Sequence, residues 1–377
     1  MFKSPPYFRF YMSKKGLHFE DSAYLDSLRQ KKAIVPHIHW DGSIQFERLW
    51  DYYQEKGQKL FFPEKHNDGT LVEGDREIKT IEQLYGLRDG LFSKFDIVDV
   101  FKISTMAMQT ADDLKTMAVA HCQYLQTQNI VYAETRFAPW YHAEQGKRGS
   151  VLTLDEVIGH SLEGFAEGRE KTGVIVKPII CINREIDPEA AKEIVKAALN
   201  FAECGVVGID LACYEPSFPP EEFGEAFALT FNSHLKRTVH ADEMVSPEEG
   251  RANLEIAINW LRADGISHGI HLYQNQDLIE LMIKKNIRLE SNPISNLTCG
   301  FIKRPGDLRL GQLAAAGVKV TINPDDPAMW KSGDLAHNLY LVGKAYGEGF
   351  IKKVRQNAIE TAWGLSEKEK QELCGQI

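Results

Sequence analysis

Eight short apolar segments, rich in Ile, Val and Leu, alternate with helical patterns from residue 33 onward. Such alternation predicts parallel strands joined by helical crossovers. Eight units of this kind in a chain of 377 residues favour closure into an α/β barrel of the (β/α)8, or TIM, type. A doubly wound open sheet is the alternative, but no glycine-rich phosphate loop follows any segment. The predicted strands are 33–39, 130–137, 174–183, 206–212, 237–243, 265–271, 287–292 and 318–323.

The segments outside this alternation predict one extension, one inserted loop and closing helices. Residues 1–32 form an N-terminal extension, helical from Asp21, and residues 33–377 form a single barrel domain. Residues 62–80 are charged and lack periodicity, which predicts an inserted surface loop after the first strand. Helical patterns cover 81–126, 305–316, 334–346 and 351–374. Pro36 lies inside the first strand, where its missing N–H predicts a bulge.

Charge and composition exclude several classes of partner. The formal net charge is -9, and no basic run interrupts it, which argues against nucleic acid or an anionic membrane as partner. No apolar stretch approaches the roughly 20 residues of a spanning helix. The N-terminal segment also lacks the features of a secretory signal. The six cysteines are scattered without a CxxC motif, which predicts reduced thiols in a cytoplasmic protein.

Polar residues recur at the predicted carboxyl ends of the strands, where barrels of this type build their active sites. Taken singly, each is equally well explained by a buried, capping or turn position. Their occurrence on one face of the barrel instead predicts a site. Three imidazoles and one carboxylate among them form a nitrogen and oxygen ligand set suited to Zn²⁺: His37, His39, His240 and Asp325.

The remaining polar residues at these ends suggest the chemistry of such a site. A bound zinc ion lowers the pKa of water from about 15.7 towards about 7. Asp210 stands near the end of the fourth strand, where no lysine is available to bridge two metals, so one zinc ion is expected. Glu243, three residues past His240, is a candidate acid or base. His268 is placed to orient the water, and Asp325 is a candidate acceptor for its proton.

Five motifs in this order resemble those of the adenosine deaminase family. In the family they are approximately HxHLDG, HAGE, GHG, CPxSNxxT and TDDP. Segments 91–96, 132–137 and 208–212 also resemble family segments, and the likeness spans about residues 33 to 345. The five motifs here are His37-Ile-His-Trp-Asp-Gly42, His240-Ala-Asp-Glu243, Ser267-His-Gly269, Ser291-Asn-Pro-Ile-Ser-Asn-Leu-Thr298 and Asn323-Pro-Asp-Asp-Pro327.

The resemblance implies a zinc-dependent hydrolytic deaminase of a 6-aminopurine nucleoside, adenosine or a relative, yielding an inosine-type product and ammonia. Motif position implies that Glu243 donates a proton to purine N1 while hydroxide attacks C6, and that His268 orients the hydroxide. Protonation of N1 lets the aromatic ring accept electrons. The partner is then a small purine nucleoside or base.

Substrate contacts are also carried over from the family by position. Asp326 would contact the edge of the base, and Asp41 matches the aspartate that meets a ribose hydroxyl. The adenine-specific branch tends to carry glutamate at the latter position, so Asp41 favours a nucleoside. Phe92 and Phe95 would belong to a hydrophobic lid. Cys213 stands where family members have a glycine whose backbone contacts the purine, so its side chain should reshape the base pocket.

Four departures from the family motifs are expected to cluster around the substrate: Asp242, Cys213, Ser267 and Pro324. Asp242 either raises the pKa of one carboxyl of a pair with Glu243 or turns outward. These departures leave open a deaminase of adenine or another modified aminopurine, and hydrolysis of an unrelated ring. A non-catalytic nucleoside-binding barrel is a third alternative, against which the complete ligand and acid set argues.

Overall fold

The eight predicted strands form one parallel sheet in chain order. The computed structural model describes residues 19, 21–66, 70–74, 76–94 and 97–375, without the side chains of 90–98. Strands β1 and β4 to β10 pair as successive neighbours, and the sheet closes where His39 N–H donates to Asp325 O at 2.8 Å. The strands are β1 (Ala33–His39), β2 (Leu60–Phe61), β3 (Glu77–Ile78), β4 (Ile130–Phe137), β5 (Ile175–Asn183), β6 (Gly208–Ala212), β7 (Lys236–Ala241), β8 (Gly265–His268), β9 (Arg288–Ser291) and β10 (Lys319–Ile322).

Helices cover the outside of the barrel and confirm the predicted α/β class. Several begin at capping boxes, such as Thr153 with Glu156 and Ser246 with Glu249, which satisfy free N–H groups of the first turn. The helices are α1 (Ser22–Arg29), α2 (Phe46–Glu55), α3 (Ile81–Lys94), α4 (Ile97–Thr105), α5 (Ala111–Thr127), α6 (Leu154–Thr172), α7 (Pro188–Asn200), α8 (Gly224–Ala228), α9 (Pro247–Asn259), α10 (Gln276–Lys285), α11 (Pro293–Thr298), α12 (Leu310–Ala316), α13 (Leu335–Tyr346), α14 (Glu348–Glu360) and α15 (Glu367–Cys374).

Three predicted boundaries are wrong for identifiable reasons. Segment 62–80 is not a loop alone: it contains β3, which pairs in antiparallel fashion with β2 just before the segment. The predicted helix 351–374 is two helices, because the N–H groups of Trp363 and Gly364 turn inward to Glu134 and to the hydroxyl of Tyr132. Helix α11, Pro293–Thr298, lies within the fourth family motif and was not predicted as a helix.

Strand side chains point alternately into the barrel and towards the helices. The inward side chains described below are polar, and the outward ones are apolar. On β6 and β7, Ile209, Leu211 and Val239 are fully buried among apolar residues, while Asp210 and His240 contact each other. The predicted bulge at Pro36 is confirmed by a register shift between Val35 and Ile38 against β4. None of the described helices is long and apolar enough to cross a membrane.

Candidate active site

The structure brings the four predicted metal ligands together at the carboxyl end of the barrel. His37 and His39 come from β1, His240 from β7, and Asp325 follows β10. One ligand atom from each lies within 4.8 Å of the others. Burial lowers the pKa of His39 well below its ordinary value, so the ring is neutral and able to bind a metal. Three imidazoles and a carboxylate at this spacing fit a single divalent ion.

Buried carboxylates fix the orientation of two of the imidazoles. Nδ1 of His37 lies 3.0 Å from Glu290 Oε2, and Nδ1 of His240 lies 3.1 Å from Asp210 Oδ1. A proton on each Nδ1 directs the lone pair of Nε2 into the cluster. There, Nε2 of His37 faces Asp325 Oδ1 at 2.9 Å. Two acceptors facing one another are stable only with a cation between them, so this donor set fits a metal.

Arg136 joins the two supporting carboxylates beneath the cluster. Its guanidinium donates to Asp210 Oδ2 at 3.0 Å and to Glu290 Oε2 at 2.8 Å. It also donates to the carbonyl of Pro36 at 2.9 Å and to Ser267 Oγ at 3.1 Å. All of these side chains are fully buried. The bulge at Pro36 therefore turns a carbonyl inward as one more acceptor for this arginine.

The position of Ser267 corrects one expectation. Its hydroxyl donates to Glu290 Oε2 at 2.9 Å and lies 3.2 Å from Nδ1 of His37. These contacts place it beneath the ligands, on the side away from any substrate that would contact them from solvent. The prediction that all four departures cluster around the substrate is wrong for Ser267.

Glu243 and His268 stand side by side at the edge of the cluster. His268 Nε2 lies 3.4 Å from Glu243 Oε1 and 4.0 Å from Asp325 Oδ2. Asn296 Nδ2 lies 2.9 Å from His268 Nδ1, and Asn292 Nδ2 lies 3.3 Å from His268 Nε2. Burial, with the nearby charge of Asp325, raises the pKa of Glu243 well above its ordinary value. Burial therefore favours the neutral, protonated form of this carboxyl.

Asp242 turns away from Glu243 and pairs with a histidine. Its carboxylate accepts from the backbone N–H of His271 at 2.6 Å and lies 2.7 Å from the Nδ1 of that ring. Burial raises the pKa of Asp242 to about 6. Neither of the two alternatives for Asp242 is found: it forms no carboxyl pair with Glu243, and it is not exposed. The side chain is fully buried and pairs with His271.

Four residues at the strand ends have a left-handed backbone that glycine adopts more readily. Such a conformation costs on the order of 1–3 kcal/mol for other residues and is concentrated at functional sites. Cys213 and Asp242 stand where the family motifs have glycine, and the left-handed backbone at these positions gives a physical reason for that glycine. The four are Cys213 (φ 76°), Asp242 (φ 60°), His268 (φ 69°) and Asp325 (φ 63°).

Asp326 lies against the main chain of Gly42. A Cβ at Gly42 would stand 1.8 Å from Asp326 Oδ1, so the glycine makes room for this side chain. Burial and the charges of Asp325 and Asp41 raise the pKa of Asp326 well above its ordinary value. A protonated carboxyl is a hydrogen-bond donor, suited to a ring nitrogen. Pro324, two residues before Asp326, accepts at its carbonyl from the Trp330 indole N–H at 3.5 Å.

Asp41 and Cys213 lie to the side of the metal cluster. Asp41 accepts from Ala138 N–H at 3.0 Å, and its other oxygen lies 2.8 Å from His142 Nε2. Each oxygen keeps one further acceptor position. Cys213 Sγ accepts from Asn183 Nδ2 at 3.5 Å and lies beside Tyr141 Oη at 3.9 Å.

The predicted lid falls largely outside the described part of the chain. Phe95 lies outside the described residues, and so does the side chain of Phe92. The expectation that these two phenylalanines cover a ligand stays a prediction.

Sequence reasoning missed the residues that support the ligands. The sequence did contain a sign of these residues, namely charged side chains inside strands that are otherwise apolar. A charge buried in a parallel strand requires a partner of opposite charge or a hydrogen-bonding group. Positions two apart on β4 and on β9 carry such charges and face the same side. The missed residues are Glu134, Arg136, Asp210, Arg288 and Glu290.

The chain is similar to known proteins over nearly all of its length. The profile of the family described as "Adenosine deaminase" matches residues 33–377. An adenosine deaminase of Clostridium kluyveri is 30% identical over 332 residues, which cover 88% of this chain and 89% of that protein. An adenine deaminase of Kluyveromyces lactis is 26% identical over 346 residues, covering 90% and 91%. The crystal structure of an adenine deaminase from Arthrobacter aurescens superposes with a TM-score of 0.77 at 21% identity, covering 92% of this chain and 98% of that one.

Proposed function

The chain belongs to the adenosine deaminase family, and we propose that it is a zinc-dependent deaminase of a 6-aminopurine nucleoside, adenosine or a close relative. That it is a hydrolytic enzyme acting on an aminopurine follows from its family. The observation that carries the finer proposal is the buried Glu243 carboxyl 3.4 Å from His268 Nε2, next to four converging ligand atoms. Six unpaired cysteines support a reducing compartment, and we propose the cytoplasm.

His37, His39, His240 and Asp325 would hold one zinc ion. A bound zinc ion lowers the pKa of a water from about 15.7 towards about 7, which supplies a nucleophile at neutral pH. The carboxylates behind His37 and His240 keep both rings in the tautomer that presents Nε2. The site therefore binds a metal without first having to rearrange its imidazoles.

Glu243 would supply the proton that the purine needs. Attack at C6 breaks the conjugation of the ring, and protonation of N1 lets the ring take up the electrons. The raised pKa of Glu243 favours the protonated form of its carboxyl, which is a donor. Nε2 of His268 lies 3.4 Å from Glu243 Oε1, so this ring would help hold the attacking oxygen in line. Asp326, protonated as well, would donate to a nitrogen on the other edge of the base.

A second candidate substrate is a free base such as adenine. Both oxygens of Asp41 are already engaged, one by Ala138 N–H and one by His142. Asp41 therefore needs no ribose hydroxyl to satisfy either oxygen, which allows a substrate without a sugar, while one acceptor position on each oxygen stays open for a nucleoside. The adenine deaminase of Kluyveromyces lactis shows that relatives at similar identity include enzymes named for the free base.

Ammonia release tests the proposal directly. Purified protein with measured zinc content is assayed against adenosine, adenine, N6-methyladenosine and AMP, with cytidine as an unrelated amine. We expect ammonia from an aminopurine at a rate at least about a hundredfold above that from cytidine. Ammonia from cytidine alone, or from none of the compounds in zinc-loaded protein, would contradict the proposal.

Two variants separate the metal from the acid. His240→Ala removes one imidazole ligand, so the protein should lose both zinc and activity. Glu243→Gln keeps the size of the side chain without a transferable proton, so zinc should be retained while kcat falls by roughly 10²–10⁴. Stoichiometric zinc in the first variant, or a near-normal rate in the second, would refute the assigned role.

A further inference from the structure

One buried carboxylate holds the main chain of the turn that carries Glu243. Glu215, in the loop after β6, is 1% exposed. Its Oε1 accepts from Asp242 N–H at 2.8 Å, and its Oε2 accepts from the N–H groups of Glu243 at 2.8 Å and Met244 at 3.2 Å. Three successive backbone donors thus converge on a single side chain, an anion-binding arrangement of the main chain.

The carboxylate is itself fixed from the opposite side. Asn253, on α9, donates from Nδ2 to Glu215 Oε1 at 2.7 Å. Each oxygen therefore accepts two hydrogen bonds, and the side chain has no freedom to rotate. Because Asn253 belongs to the helix that follows the turn, Glu215 links the end of β7 to that helix.

The turn would otherwise be poorly held. Strand β7 ends at Ala241, and Asp242 then adopts a left-handed backbone with φ 60°. The N–H groups of the next residues consequently leave the ladder of hydrogen bonds between strands. Glu215 replaces that ladder at the point where the acid emerges.

We propose that Glu215 is a positioning residue for deamination, which fixes the backbone of Glu243 so that its carboxyl stays beside His268. This inference rests on the proposed function, because it presumes that Glu243 is the proton donor. The distance to be kept is the 3.4 Å between Glu243 Oε1 and His268 Nε2. A displacement of about 1 Å in a reacting group costs roughly a hundredfold in rate.

The substitution Glu215→Gln tests the inference. An amide offers one acceptor oxygen and two donors, so at least one backbone N–H of the turn would face another donor. We expect kcat to fall by roughly a hundredfold while KM changes by less than about threefold, with zinc content unchanged. Asp113→Asn is the control, since Asp113 is also a buried carboxylate but lies on helix α5, where it pairs with Lys56 at 3.0 Å. It should lower the unfolding midpoint and leave kcat unchanged.

A double variant separates positioning from general support of the fold. In a protein that already carries Glu243→Gln, adding Glu215→Gln should leave kcat unchanged within about twofold, because the group that it positions has been removed. A further loss of about a hundredfold in the double variant would overturn the inference. So would a wild-type kcat in Glu215→Gln alone.

The outcomes distinguish this inference from the proposed function. If Glu243→Gln is fully active, the proposed acid is wrong. If Glu243→Gln is inactive and Glu215→Gln is normal, only the positioning role fails. Should Glu215→Gln not fold, Glu215→Asp retains the charge but retracts it by one methylene. A tenfold or greater loss of kcat in that variant supports the inference, and a wild-type kcat overturns it.

Discussion

The substitution Asp210→Asn should weaken zinc binding without touching a ligand. His240 Nδ1 lies 3.1 Å from both Oδ1 and Oδ2 of Asp210, and Oδ2 also accepts from Arg136 at 3.0 Å. Burial alone would raise the pKa of Asp210, but the charges of His240 and Arg136 lower it well below its ordinary value. The side chain is therefore a carboxylate with two charged or polar donors.

In either orientation of asparagine, its amide N–H groups face one of these two donors. With its oxygen at the Oδ1 position, they confront the guanidinium of Arg136; with its oxygen at the Oδ2 position, they confront Nδ1–H of His240. Loss of one hydrogen bond to a charged group costs about 1.5–3 kcal/mol. Removal of a partner behind a metal-bound imidazole typically lowers metal affinity 10–100-fold. We expect the zinc Kd to rise within that range, about 1.4–2.7 kcal/mol.

Competition against a chromophoric chelator measures this change. The matched control is Asp277→Asn, which removes a carboxylate from an exposed pair with Arg251 at 2.7 Å and should leave the zinc Kd unchanged. Near-normal kcat at saturating zinc is also expected for Asp210→Asn, since no group that contacts substrate is altered. Equal zinc affinities in the two variants would refute the argument that Asp210 orients His240.

Three further changes test other parts of the structure. Cys213→Gly relieves a left-handed backbone (φ 76°) and should widen the base pocket, so the relative rates on adenosine, adenine and N6-substituted purines should shift; unchanged ratios would remove Cys213 from the pocket. Gly42→Ala puts a Cβ 1.8 Å from Asp326 Oδ1 and should raise KM with zinc retained; a normal KM would contradict the contact of Asp326 with substrate. Burial lowers the pKa of His121 to about 3. Below about pH 6.5 the unfolded chain therefore binds a proton that the folded chain does not. The free energy of unfolding then decreases as the pH is lowered, by up to about 1.4 kcal/mol per pH unit. In urea unfolding, His121→Gln should lose about 1 kcal/mol less than the unmodified protein between pH 6.5 and pH 5.5, because His121 of the unfolded chain is already half protonated at pH 6.5; equal losses would show that His121 is not the cause.

The sequence predicts the strands and the ligands because both depend on local pattern. Runs of β-branched residues define the strands, and a barrel places whatever follows each run at one end. His37 and Asp325 could therefore be brought together across 288 positions without knowing any contact between them. The fold class was predictable for the same reason, since eight alternating units leave few ways to close.

The supporting residues depend on register, which local pattern does not provide. Glu290 reaches His37 only because β9 and β1 lie at matching heights within the barrel. The direction of Asp242 depends on a positive φ and on the nearby His271, neither of which a motif comparison contains. Glu215 could be suspected only as an acid in a loop, because its partners are backbone N–H groups that every sequence possesses.

The charges buried inside the barrel give a physical reason for a divalent ion. Among the described residues, four carboxylates and two guanidinium groups form ion pairs with one another or with His37 and His240, and each of the six is at most 3% exposed. Ionised, they sum to a net charge of about −2, and a buried net charge is costly unless a counter-ion balances it. One divalent cation among Nε2 lone pairs would neutralise the set, whereas a second would leave it positive. The charge count thus favours one metal per chain on grounds independent of the family: Glu134, Asp210, Glu290 and Asp325 against Arg136 and Arg288.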